Sequence, residues 1–216
     1  MEYNGGMKKS IFFDLDGTLW DAIRQIHQSW NETMERMGEP YRFTLEMIHS
    51  TMGLTPLETL PITFPGAKEE KAMALFQQCV RDEIRFLSRN PGTLYPKEEK
   101  VLEELVGKYP LYVVSNSDVG YIENYLSSCH MEKYFKGHLC AGDTKLAKWQ
   151  NIQKLKKDEG IDEVIYVGDT LKDKNESMKA GVKFIHAAYG FGKIEDDPYK
   201  IEALVELPSL VEKLFN

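Results

Sequence analysis

Asp14 and Asp16 stand two residues apart, directly after the apolar run Ile11-Phe12-Phe13 and directly before Gly17-Thr18. Clustered carboxylates at a strand end repel one another unless a cation lies between them. Carboxylate oxygens suit magnesium, and one carboxylate can also attack phosphorus to form an aspartyl-phosphate. Asp and Gly are also ordinary turn residues. Taken alone, the pair is therefore either a metal-assisted site or a turn.

Three further constellations follow the same placement. Ser115-Asn116 comes straight after the apolar run 111–114. A hydroxyl and backbone amides there could hold phosphate oxygens, or Ser-Asn-Ser-Asp could simply cap a helix. Lys148 falls in the first turn of a helix expected over 146–157, where the helix dipole disfavours a cation. A bound anion would resolve that conflict; two solvated lysines, Lys145 and Lys148, are the plainer reading. Gly168-Asp169-Thr170 follows the run 164–167, with Asp173 one turn on. Capping explains one acid there and less naturally two.

The elements that must position these residues are legible as periodicity. The runs 10–13, 111–114, 164–167 and 183–187 are rich in β-branched and aromatic residues without strict alternation, as in strands buried on both faces. Helical stripes over 96–106, 118–129, 146–157 and 171–180 lie between and after them. This alternation predicts an α/β fold: a Rossmann-like, doubly wound parallel sheet. Residues 21–90 break the rhythm with helical stripes alone, one from Ile23 to Met37 and one from Leu75 to Leu87. They read as a helical insert, with 8–20 and 91–216 forming the core. All four constellations then sit at carboxyl ends of strands, where side chains converge on one edge of the sheet. Four acids together need a divalent cation, and magnesium with Lys148 and a phosphate dianion balances the charge.

The combination resembles the haloacid dehalogenase superfamily, in its capped phosphatase-like members of the phosphoglycolate phosphatase and β-phosphoglucomutase type. The resemblance rests on Asp14-Leu15-Asp16-Gly17-Thr18-Leu19, Ser115-Asn116, Lys148, and Gly168-Asp169-Thr170 with Asp173. It implies that Asp14 is the nucleophile and Asp16 the general acid and base. It implies that Ser115 and the Asn116 backbone hold the phosphoryl group, and that Lys148 neutralises charge. Mg²⁺ would be bound by Asp14, Asp169 and the backbone carbonyl of Asp16, with Asp173 acting directly or through water. Many members have proline after the lysine where Trp149 stands, and Lys145 is an alternative to Lys148. The implied function is a Mg²⁺-dependent phosphatase for a small phosphorylated metabolite. The same residues serve a phosphomutase of the β-phosphoglucomutase type, and a non-catalytic binding protein would be expected to lack one of the acids.

Composition bounds the partners. Net charge is −7 and no basic block appears, which argues against nucleic acid. No apolar run approaches a membrane span, and the first ten residues, expected to fray around Gly5-Gly6, lack a signal-peptide stretch. Cys79, Cys129 and Cys140 form neither zinc spacing nor a disulfide framework. A cytoplasmic monomer with reduced thiols is the expectation. In the insert, Asp21 reads as a cap of the first helix. Met52-Gly53-Leu54 is either a loop reaching toward the site or a plain turn between helices. Arg24 and His27 lie early enough to touch substrate.

Overall fold

The computed structural model describes residues 7–195 and 197–216, so the expectation of fraying at Gly5-Gly6 lies outside the described residues. The four runs read as strands form the centre of the sheet. They are β1 (Lys9–Phe13), β4 (Leu111–Ser115), β6 (Glu163–Gly168) and β7 (Lys183–Ala187). Two edge strands complete it, β5 (Gly137–Cys140) and β8 (Lys200–Ile201), in the order β5-β4-β1-β6-β7-β8. All neighbours pair in parallel, with Phe13 opposite Val113 on one side and Val167 on the other. The fold class is thus α/β, a doubly wound Rossmann-like sheet.

Both faces of the sheet are covered. Ile11, Phe13, Val113, Ile165 and Val167 point into one apolar cluster, and Phe12, Tyr112, Val114 and Tyr166 into another. This period-2 split in near-continuous apolar runs is what a strand buried on both sides requires. The second face is closed by α8 (Lys148–Asp158) and α9 (Leu171–Ala180), through Ile152, Leu155 and Ala180. The first face is closed by α5 (Glu98–Val106), α6 (Tyr121–Cys129) and α10 (Leu207–Phe215), through residues such as Leu102, Tyr125 and Val211. A short α7 (Ala141–Thr144) follows β5.

Between β1 and β4 run α1 (Ile23–Met37), α2 (Leu45–Thr51), α3 (Pro56–Thr63) and α4 (Glu69–Leu87). The helical stripes from Ile23 and from Leu75 become α1 and α4, packed together by Trp30, Met34, Leu75 and Cys79. Asp21 Oδ1 accepts a hydrogen bond from Ile23 N at 3.0 Å, at the start of α1. The two chain crossings into and out of this helical group are joined: β2 (Trp20–Asp21) pairs antiparallel with β3 (Thr93–Leu94). This ribbon was not expected, because two-residue strands carry no periodicity. The edges β5 and β8 were also missed. Gly137-His138-Leu139-Cys140 is only half-buried along most of its length and lacks β-branched residues. Among the described residues, no helix is long and apolar enough to cross a membrane.

Candidate active site

Strand β1 sits at the point where the chain first turns to one side of the sheet, to β4, and later to the other, to β6. A crevice forms at the carboxyl ends of strands around such a reversal. Asp14 continues the β1 ladder for one residue, its N–H donating to Val167 O at 2.8 Å. The chain then turns sharply at Gly17, where φ is +79°. A Cβ at Gly17 would lie 2.2 Å from Asp169 Oδ2, so only glycine lets the β1 and β6 loops approach this closely.

Asp14, Asp169 and Asp173 are all buried, and one carboxylate oxygen from each lies within 4.8 Å of the others. Asp169 Oδ2 accepts hydrogen bonds from Phe191 N at 2.7 Å and Gly192 N at 3.3 Å. Asp169 Oδ1 is buried with no hydrogen-bond partner among the described residues. An orphaned carboxylate oxygen inside a triad of acids is what a hard cation with oxygen ligands would satisfy. The donor set therefore fits a magnesium ion. Asp173 has two duties: Oδ2 accepts from Thr170 N at 3.0 Å and Thr170 Oγ1 at 2.5 Å, closing the capping box of α9. Its Oδ1 faces Lys148.

Lys148, the first residue of α8, is buried and donates from Nζ to Asp14 Oδ1 at 2.8 Å and Asp173 Oδ1 at 2.5 Å. The unfavourable position of a cation at a helix start is thus compensated by two carboxylates. Burial opposes the charge of this lysine, but Asp14 and Asp173 outweigh it and hold the ammonium well above its usual range. Burial and the neighbouring Asp173 push Asp14 up to about 7, against the pull of Lys148. Burial and Asp173 also raise Asp169 well above the ordinary carboxylate range. Lys145 is the left-handed residue ending α7, and its charge lowers Asp118, whereas the ion-pair partner of Asp14 is Lys148.

Asp16 is outside the acid triad. Its Oδ1 accepts from Tyr121 OH at 2.7 Å and Trp20 Nε1 at 3.0 Å, away from the cluster of Asp14, Asp169 and Asp173. Burial pushes Asp16 up to about 6, while the two hydrogen bonds hold it down. Ser115 and Asn116 end β4 on the same side and are buried. Ser115 Oγ accepts from Ser117 N at 3.2 Å. The Asn116 side chain donates to Gly53 O at 3.0 Å, which draws the Met52-Gly53-Leu54 loop over the site. Asp14, Asp16, Ser115 and Asn116 open into one cavity of about 100 Å³, roofed by this loop, α1 and α4. Arg24 and His27 do not reach it. They line grooves on the outer side of α1.

Three groups at the site were not placed from the sequence. Tyr121 lay within the helix expected over 118–129 but off its apolar stripe, and Glu83 was a polar residue on the α4 helix, yet both line the cavity. For the turn Gly190-Phe191-Gly192, the paired glycines are the signal that could have placed it. A Cβ at Gly190 would lie 2.3 Å from Gly17 O and 2.4 Å from Asp169 Cβ.

Comparison with known proteins agrees with this architecture. The family model described as haloacid dehalogenase-like hydrolase matches residues 11–187. The chain is 28% identical to a 5'-nucleotidase of Pseudomonas aeruginosa over 87% of its own length and 86% of that protein's. It is 25% identical to a phosphoglycolate phosphatase of Rhodobacter capsulatus, over 95% and 98% of the two chains. A haloacid dehalogenase-like hydrolase of Streptococcus pneumoniae shares the fold, with a TM-score of 0.81 at 21% identity over 95% and 98% of the chains. The chain belongs to the haloacid dehalogenase-like hydrolase family. Within that family it is an enzyme of the phosphatase type.

Proposed function

We propose that this enzyme hydrolyses a small phosphorylated metabolite through an aspartyl-phosphate on Asp14, with Mg²⁺ as cofactor. The observation that carries the reading is the arrangement around Asp14. Its Oδ1 is held by Lys148, and it shares a buried cluster with Asp169 and Asp173. A fixed carboxylate at the floor of a cavity, with one oxygen pinned, suits in-line attack on phosphorus. Asp14, Asp169, Asp173 and the carbonyl of Asp16 would hold Mg²⁺, which when bound offsets the charge of the acids and of the phosphate.

The remaining roles follow from position. Ser115 Oγ and the Asn116 N–H lie at the end of β4 on the same cavity and would hold the phosphoryl oxygens. Lys148 keeps its proton against burial and lowers the repulsion between Asp14 and an incoming dianion. Asp16, raised to about 6, keeps a protonated fraction near neutrality. In that form it donates to the leaving oxygen; once ionised, it takes a proton from the attacking water. Tyr121 and Trp20 fix its orientation. Residues 21–90 would act as a cap on the core of 8–20 and 91–216. The names of the relatives, a 5'-nucleotidase and phosphoglycolate phosphatases, support phosphate monoesters as the substrate class.

Asp14→Asn keeps the size of the side chain and removes its nucleophilic charge. Turnover of p-nitrophenyl phosphate should fall by a factor on the order of 10³ or more, with the circular dichroism spectrum unchanged. Turnover at the wild-type level in the folded variant would remove Asp14 from the reaction.

A further inference from the structure

The cavity above Asp14 has an unusual lining for an enzyme that handles anions. Its roof is apolar: Ile26 and Trp30 from α1, Phe76 and Val80 from α4, and Met52 and Leu54 from the loop between α2 and α3. Among the described residues, no lysine, arginine or histidine lines it. Lys148 lies buried beneath, paired with Asp14 and Asp173, and Lys172 is engaged with Glu58. Lys145 acts on Asp118 without entering the lining. The charged groups that do line the roof and rim are Glu83 and Asp118.

Glu83 is 6% exposed, on the inner side of α4. Trp30 Nε1 donates to its Oε2, which fixes the carboxyl from one side. We propose that Glu83 is a specificity-determining residue that accepts a hydrogen bond from a small, non-anionic leaving group, a hydroxyl or an ammonium, and that the chamber rejects a leaving group carrying a second negative charge. This rests on the phosphate-monoester reading above and deepens it.

Two further observations support the proposal. Burial, with the nearby Asp16 and Asp118, pushes Glu83 up to about 8, and burial raises Asp118 as well. A space that resists ionising its own acids resists an imported carboxylate for the same reason, desolvation without a counter-charge. Size points the same way. The cavity of about 100 Å³ has to take the phosphoryl group as well, which leaves room under the roof for a leaving group of a few heavy atoms. The ends of such a group meet Glu83 rather than a guanidinium or an ammonium.

Three esters of matched length test this with the full-length enzyme and Mg²⁺: 2-hydroxyethyl phosphate, 2-aminoethyl phosphate and 2-phosphoglycolate, with p-nitrophenyl phosphate as the generic ester. The hydroxyl or ammonium ester should exceed phosphoglycolate in kcat/KM by a factor on the order of 10². Phosphoglycolate turned over as well as or better than both would overturn the inference. Glu83→Leu should collapse that ratio by about tenfold or more; an unchanged ratio in a folded variant would remove Glu83 from the role. Glu83→Gln separates the two donors: neutral Glu and Gln both accept from a hydroxyl, so that ester holds within about threefold, whereas an ammonium would draw Glu83 into its ionised form and is lost with Gln. The wild-type comparison stands even where a variant fails to fold. No turnover of any of the four esters would overturn the phosphatase reading and this inference with it. Turnover of the aryl ester together with a preference for phosphoglycolate would overturn this inference alone.

Discussion

Asp16 shows how a single side chain can be tuned by what touches it. Its carboxyl is pushed up to about 6 by burial, yet two donors, Tyr121 and Trp20, keep it from rising further. Near neutrality it can therefore be found in both the forms that the proposed reaction needs. Asp16→Asn should slow an alkyl phosphate, whose leaving oxygen needs a proton, by at least about tenfold more than p-nitrophenyl phosphate. In the wild type, the alkyl ester should lose rate as pH rises through about 6, where the acid form is lost. Equal slowing of both esters in the variant would count against the acid role. At this scale much was visible in advance, because Asp14, Asp16, Asp169 and Asp173 announce themselves by type and spacing. Tyr121 did not, because a tyrosine at the start of a helix carries no mark of the carboxylate it meets 105 residues away.

At the scale of elements, the sheet was legible where burial is complete. The strands β1, β4, β6 and β7 are apolar on both faces, and that leaves a sequence trace. The edges β5 and β8 and the β2–β3 ribbon are short or partly exposed, so nothing in their composition separates them from loops. The loop after β7 belongs to the same class. It was not read as part of the site, yet its amides at Phe191 and Gly192 hold Asp169. Gly190 is where that loop crosses the Gly17 turn with no room for a side chain. Gly190→Ala should displace Asp169 and weaken Mg²⁺ binding roughly 10–100-fold, measured by calorimetry on the folded protein. An unchanged affinity would mean that this crossing does not position the acid.

Across the whole molecule, Glu83 and Glu98 are acids buried with no cation beside them. Glu98 sits under α6, with Tyr125 OH donating to its Oε1 at 2.5 Å and its Oε2 without a partner among the described residues. Burial pushes it up to about 8 from an ordinary value of 4.5, as it does Glu83. The folded chain therefore holds protons that the unfolded chain has released between about 4.5 and 8. Their contribution is fully present below that window and is lost as pH rises through it, by up to about 1.4 kcal/mol per pH unit for each proton. Tm should fall from pH 6 to pH 9, by about 2–4 °C for each kcal/mol lost, and Glu98→Gln should flatten that slope. An equally steep slope in the variant would mean that Glu98 is ionised in the folded chain. Both effects belong to the same burial that encloses the cavity, and the central claim about that cavity is chemical. Its most direct measurement is mass spectrometry of the enzyme, acid-quenched during turnover with Mg²⁺. One phosphoryl group should appear on the peptide that carries Asp14 and be absent from Asp14→Asn. Steady turnover with no phosphoenzyme, or a phosphoryl group on another residue, would contradict the account.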